Sequence, residues 1–551
     1  MIKKYILGLT QNNLIMFLFL IAIGSYICSK TQFNFGWDFV NYHYYNAFAF
    51  LNNRLNYDIV PGSVNTFLNP LIELPFYFIL QYFNDAPQIA FALQGVWFGL
   101  LLFAFYKVTT LFFPANTIKG VMLSFATLAV AATGQATWFQ AGTSTNEIQI
   151  AFLVYSALYI LFKMIKDGKT EATYKFFVAG LILGAALGLK STCVYICLAT
   201  GLSLIICYKY LSQPVKYISL FALGGLAGYL ALNGWWMYKM WSLYGNPFFP
   251  FFNGIFHSPY FDDFNFTDKR FIPPLHIVPI FPYIWNGGKY GSAEIAFWDL
   301  RGIVFYSVAL LFVVYMLSKP KRIKEFYLTR KLWCFYTVFM ILGYILWMAG
   351  FSIYRYLVVI EMGAAVFFIK IISLYCPKSL IKQVLYLSFV IVINAILILN
   401  AQDGKSWPQK RNDNKLIWVE NIKLPENTLL KLYNFPTAGV IPVLSKTNNF
   451  RALGYQHLNA TYMQGSDFVE RGEFRKMRDK IEQEHKGPVV VIYRMLSYFS
   501  PNYKKLYDIL MPVVENMYCR KLENTLDSAL FICVSPELKQ QILLEEDKYG
   551  K

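Results

Sequence analysis

The chain has 551 residues, of which 56% are hydrophobic, 19% aromatic and only 15% charged, and it carries a formal charge of +18. Soluble domains hold about 25% charged residues, so a water-facing globule, a disordered chain, a coiled coil and a small disulfide-framed fold are excluded. Fifty phenylalanines and forty tyrosines need burial or a membrane interface. The composition is that of an α-helical polytopic membrane protein.

Charge divides the chain. Residues 401–551 hold 22 basic and 18 acidic residues, whereas residues 1–400 hold 28 and 14. This break predicts a membrane domain over 1–400 and a soluble α/β domain over 401–551.

A bilayer core of about 30 Å requires about 20 apolar helical residues. Such runs occur near 12–29, 88–112, 119–137, 148–164, 176–190, 191–208, 217–238, 302–318, 332–351, 357–375 and 380–399, about eleven spans in all. The fifth and sixth are divided at Lys190, and 176–208 can also be read as one long span. The first follows Lys3 and Lys4 without a small-residue cleavage site, which marks it as a retained span rather than a secretory signal. With the amino terminus cytoplasmic, 19 of the 28 basic residues fall inside, the bias that sets membrane topology. The positive charge is thereby accounted for, and a nucleic-acid partner is not expected. Ten of the 14 acidic residues fall outside, so function is sought on the outer face of a plasma (inner) membrane.

Two outer loops are long, 30–87 and 239–301, and loops of this length are commonly functional. The first begins Phe35-Gly36-Trp37-Asp38-Phe39-Val40-Asn41-Tyr42-His43-Tyr44-Tyr45. Asp38 lies just past the first span, at headgroup level. A helix over 38–50 would put Asp38, Tyr42 and Tyr45 on one face, with His43 about 140° away. The competing reading makes Asp38 only an N-cap. Asn65–Pro75, with Asn69, Pro70 and Pro75, reads as Asn-capped interfacial helices, and Glu73 as a second polar contact or a solvated residue. In the second loop, Gly245-Asn246-Pro247 is a turn signal followed by Phe248-Phe249-Pro250-Phe251-Phe252. Beyond it come Asp262, Asp263, Arg270, Glu294, Asp299 and Arg301. The adjacent aspartates admit a divalent metal as a minority reading, but no set of converging oxygen ligands is visible.

Lys190 and Arg355 stand at the outer ends of apolar spans, against the inside bias of the other cations. A charge so placed is a functional candidate, with an anionic lipid phosphate as its natural partner. Snorkelling to the headgroups is the alternative. In the tail, β-type runs at 489–493 and 529–534 and a charged helical stretch at 468–486 alternate with strand-like segments, which predicts a small three-layer domain. Eleven spans from a cytoplasmic start place this domain outside the membrane, where Cys519 and Cys533, flanking a polar turn, form a candidate hairpin disulfide. The other six cysteines lie in or beside spans and read as core residues.

The block Asp38–Tyr45, the Asn69-Pro70 segment and Gly245–Pro250 resemble the GT-C superfamily of integral membrane glycosyltransferases. The likeness is to bacterial polyprenol-phosphate-sugar-dependent members of the mannosyltransferase or aminoarabinose-transferase type. The layout is similar over about 1–400, and the tail is similar to the outer domain many members append. The pair of acidic residues common in the first loop is represented here only by Asp38. The resemblance implies sugar transfer from a polyprenyl-phosphate donor to a glycan, lipid or protein acceptor, usually with inversion and without a cofactor. Asp38 would be the general base; Lys190 and Arg355 would hold the donor phosphate. His43, Tyr42, Tyr45, Glu73, Asn246, Arg270, Glu294, Asp299 and Arg301 would be substrate contacts. Two alternatives remain open: a polysaccharide polymerase or ligase using lipid-diphosphate donors, and a transporter or flippase.

Overall fold

The computed structural model describes residues 2–30, 36–168, 173–265, 271–272, 330–374, 379–399, 415–434, 436–455, 470, 472–498, 500 and 502–540, with scattered positions between 304 and 318. Among these, five helices are long and apolar enough to cross a membrane: Asn13–Lys30, Pro87–Phe112, Glu147–Asp167, Pro214–Tyr244 and Lys331–Gly350. The chain is a mostly helical polytopic membrane protein with a small C-terminal sheet. Further helices occupy Ile118–Ala132, Tyr174–Leu189, Val194–Ile206, Val358–Ile372 and Leu380–Leu399. Each of these coincides with an expected apolar run. The run at 302–318 lies largely outside the described residues.

The chain folds as two compact units. One comprises 1–31, 91–234 and 271–405; the other comprises 32–90, 235–270 and 406–551. In the first, the helices pack through small residues. Gly180, Gly184 and Gly188 recur every fourth position, as do Gly224 and Gly228. A Cβ on Gly184 would overlap the Gly225 carbonyl oxygen, and one on Gly224 that of Phe177. Two helix backbones in direct contact are a common solution in lipid, where burying larger apolar side chains gives no advantage over exposing them. The segment 176–208 is a pair of helices: Lys190 turns extended (φ −146°, ψ 110°) and a 3-10 turn, Ser191–Cys193, follows. The second helix then returns along the first, with Cys197 Sγ 3.7 Å from the Leu183 carbonyl.

The second unit is built on a five-stranded sheet of order β2-β1-β3-β5-β4. Its strands are β1 Thr428–Tyr433, β2 Phe450–Gly454, β3 Val489–Arg494, β4 Tyr518–Lys521 and β5 Leu530–Val534. β2, β1 and β3 are parallel, whereas β5 and β4 are antiparallel additions. Cys519 and Cys533 are cross-strand partners joined by a disulfide.

Alternate strand residues face opposite sides, and both sides are covered. Leu430, Leu432, Val490, Ile492 and Ile532 share a core with Phe39, Val40, Tyr44, Phe48, Phe76 and Leu80 from the first long loop. Leu429, Tyr433, Val491, Tyr493 and Cys533 pack with Trp236, Tyr244 and Phe249, and with Phe474, Leu510 and Val514 from the tail's own helices. The domain has three layers, and the first loop supplies much of one outer layer. It also extends the sheet: Ile59 pairs in parallel with Leu453 at the outer edge of β2. Its backbone N–H donates to the Ala452 carbonyl (2.9 Å), and its carbonyl accepts from Gly454 N–H (2.7 Å).

Candidate functional site

Asp38 begins a π-helical turn, Phe39–His43, closed by Tyr44 N–H donating to the Phe39 carbonyl and continued by the α-helix Tyr44–Leu51. A π turn accommodates an extra residue, shifts the faces of the helix that follows, and is frequent at functional sites. The Asp38 side chain is half-buried and makes no capping hydrogen bond to this turn. The turn is held from below by the segment after β1. A Cβ on Gly439 would lie 2.6 Å from the Val40 carbonyl oxygen, so only glycine lets these backbones approach so closely. Asn41 and Asn46, both buried, donate to the Gly62 (3.3 Å) and Asn65 (2.8 Å) carbonyls. Their Oδ1 atoms have no hydrogen-bond partner among the described residues.

The π turn separates Tyr42 from Tyr45, which a regular helix would align. His43, 4% exposed, places Nδ1 3.1 Å from Glu73 Oε2, and Glu73 is buried rather than solvated. The Tyr42 ring packs edge-on against His43 at 4.4 Å. Tyr45 instead donates to Asp58 Oδ2 (3.0 Å). Asp58 also receives Arg54 through two nitrogens, at 2.7 and 2.8 Å, and the Ala452 backbone N–H at 2.8 Å. Arg54 in turn reaches the Phe450 carbonyl at 2.8 Å. Tyr45 therefore belongs to a buried polar joint between the loop and β2. Asn69 caps the turn Pro70–Glu73 by accepting from Leu71 N–H.

In the other unit, Lys190 Nζ lies 2.6 Å from Glu147 Oε1, with side chains 19% and 6% exposed. Glu147 opens the helix Glu147–Asp167. Lys190 Nζ also lies 5.6 Å from the Tyr356 ring centroid, and the Arg355 guanidinium lies 5.3 Å from the same centroid. Two cations thus share one ring, a favourable cation–π arrangement, and one carboxylate is paired with them. Among the described residues the cluster holds two cations and one carboxylate. It borders a cavity of about 20 Å³ lined by Glu147, Lys190, Thr192, Tyr195 and Tyr356, space for about one water molecule.

Arg355 sits in a closely braced loop. Gln140 Nε2 donates to its carbonyl (2.8 Å), Trp347 Nε1 to that of Ile353 (2.9 Å), and Tyr195 Oη to that of Tyr356 (2.5 Å). Glu361, fully buried, accepts from Tyr354 Oη, the Ala136 and Thr137 backbone N–H groups and Thr137 Oγ1. It thereby caps the short helix Gln135–Gln140, which carries Gln140.

The remaining candidates divide. Asn246 is fully buried and holds its own turn: Nδ2 donates to the Phe251 carbonyl and Oδ1 accepts from Phe248 N–H. Arg270, Glu294, Asp299 and Arg301 lie outside the described residues. Among the described residues, no group of three or more His, Cys, Asp or Glu side chains converges as a metal site requires. Glu147 was the site residue missed by sequence reasoning. Its signal was an acidic residue at the start of an apolar span, the mirror of the signal that selected Lys190. No protein-family model matches the sequence, and no characterised protein matches it significantly.

Proposed function

We propose that this protein is an integral membrane glycosyltransferase with a GT-C-like arrangement of about eleven spans. It moves a sugar from a polyprenyl-phosphate donor to an envelope acceptor at the outer face of the plasma membrane, with inversion. Asp38 takes the proton from the acceptor hydroxyl as its oxygen bonds to the anomeric carbon. The bond from that carbon to the phosphate oxygen breaks, and the electron pair leaves with the lipid phosphate. Lys190 and Arg355 offset the charge growing there, an electrostatic role that needs no nucleotide or cofactor.

The observation that carries this reading is the pairing of Lys190 and Arg355 on the Tyr356 ring with the single carboxylate Glu147. Two cations gathered at one ring favour an anionic group such as a lipid phosphate. A half-buried Asp38 without a capping bond agrees with a base rather than a helix stop. The disulfide Cys519–Cys533 agrees with an extracytoplasmic tail.

The test is transfer from labelled polyprenyl-phosphate sugar by the full chain in proteoliposomes. Asp38→Asn is expected to abolish transfer while the protein stays folded, and Arg355→Ala to raise the KM for donor. Full activity of Asp38→Asn refutes the base, and an unchanged donor KM in Arg355→Ala refutes the phosphate site. Transfer from a diphosphate donor alone would favour a polymerase or ligase.

A further inference from the structure

We propose that Tyr498, Tyr503 and Tyr507 form a glycan-binding platform on the unit that contains the C-terminal sheet. These tyrosines, with Ser500 and Lys504, line a hollow of about 410 Å³, within the usual range for small-ligand sites. The rings form a strip, with centroids 5.3 Å apart for Tyr498–Tyr503 and 6.4 Å for Tyr503–Tyr507. Tyr503 and Tyr507 are one turn apart on the helix Tyr503–Val514, whose Leu506, Leu510 and Val514 are buried. The helix is thus docked by one face and presents tyrosines on another. Tyr498 is 77% exposed and Tyr507 51%.

The chemistry of the lining selects the ligand. Each residue has a hydrogen-bonding tip: three phenol hydroxyls, one serine hydroxyl and one ammonium. Among the described residues that line it, none is aliphatic. An acyl chain would leave those tips without partners. A sugar ring matches both features, offering a flat C–H face to each phenol ring and a rim of hydroxyls to the tips. Lys504 and Lys505 are exposed, and so is Asp508 on the next turn, so the surface has no strong bias of charge and suits a neutral oligosaccharide of several units. The platform is independent of the transfer site, so failure here leaves the transferase reading untouched.

The experiment titrates the full chain in nanodiscs with cellohexaose, chitohexaose and mannohexaose. At least one is expected to saturate. Tyr498→Ala and Tyr507→Ala should each weaken it roughly 2- to 10-fold, the range for lost aromatic stacking, without changing the unfolding temperature. Tyr507→Phe should retain binding, because the ring face remains. Absence of saturable binding by all three saccharides overturns the proposal, and so do alanine variants that bind like the parent. A Tyr507→Trp variant reports the competing occupant. Quenching of its fluorescence by brominated lipid in the nanodisc, undiminished by saccharide, would show that the platform seats on the membrane and overturn the glycan assignment.

Discussion

The close approach of Gly439 to Val40 makes a small change in the tail felt at Asp38. A methyl group at 439 would be 2.6 Å from the Val40 carbonyl oxygen and 3.2 Å from its Cα. Ordinary contact requires a shift of roughly 0.5–1 Å. Neither side has room to yield, since Val40 is 3% exposed and Ala438, Val440 and Ile441 are fully buried. Overpacking of this kind costs about 1–3 kcal/mol. For a unit of this size each kcal/mol lowers Tm by roughly 2–4 °C, so Gly439→Ala should lower the unfolding temperature of this unit by roughly 2–12 °C. Asp38 lies two residues from the displaced carbonyl, and a misplacement of about 1 Å can reduce a rate roughly 100-fold. Transfer by Gly439→Ala should therefore fall by about tenfold or more. The assay pairs differential scanning fluorimetry with sugar transfer by detergent-solubilised full-length protein. Gly350→Ala is the control, because a Cβ there meets nothing within 4 Å. If the two variants share one unfolding temperature and one rate, the coupling of tail to Asp38 turn is refuted.

Gly184→Leu should block the contact with Gly225 and eliminate the monodisperse folded peak in detergent size-exclusion chromatography; a normal peak would show that the helices do not meet there. Glu361→Gln turns an acceptor toward N–H donors into a donor, and each lost charge-assisted bond costs about 1.5–3 kcal/mol, so thermal unfolding should move to lower temperature. At Glu482, burial pushes the carboxyl up, but hydrogen bonds from Lys431 and Tyr455 and the nearby Arg478 outweigh it and hold it below the ordinary value of 4.5. A depressed carboxyl contributes stability that is present above its unfolded pKa and lost as pH falls through the folded one. Glu482→Gln should therefore flatten the loss of unit stability below about pH 4.5, which acid titration of the unfolding midpoint would read. Residues 415–540 expressed alone should bind a hydrophobic dye strongly, because Phe39, Tyr44 and Phe76 no longer cover the sheet; weak dye binding and a sharp melting transition would contradict the shared core.

Much of the helical framework is legible because membrane spans are written in contiguous apolar residues. The break at Lys190 is legible only as one of two readings, since 176–208 also fits one long span, and the extended turn at Lys190 decides it. The first loop is harder. Aromatic residues demand either burial or a membrane interface, and Phe39, Tyr44, Phe76 and Tyr77 are buried on a β-sheet some 400 positions away. Composition cannot separate these fates, because both bury aromatic surface. The π turn at 39–43 is invisible to a regular 3.6-residue period, and so is the parting of Tyr42, which packs on His43, from Tyr45, which bonds Asp58. Glu147 was visible as a residue but not as a partner, since nothing in one sequence links positions 147 and 190.

The loop that covers the sheet also sets a schedule for biogenesis. Residues 39–83 leave the ribosome first, but their packing partners reach as far as Val534 at the end of β5. Roughly 450 residues must follow, and at about 5–20 residues per second that delay is some 20–90 s. Until β1 emerges the apolar surface of the first loop has no native partner from the sheet, and its cover is complete only with β5. A nascent chain in this position needs either the membrane surface or a holding chaperone, and truncation of the last strand should leave an insertion-competent but protease-sensitive first loop.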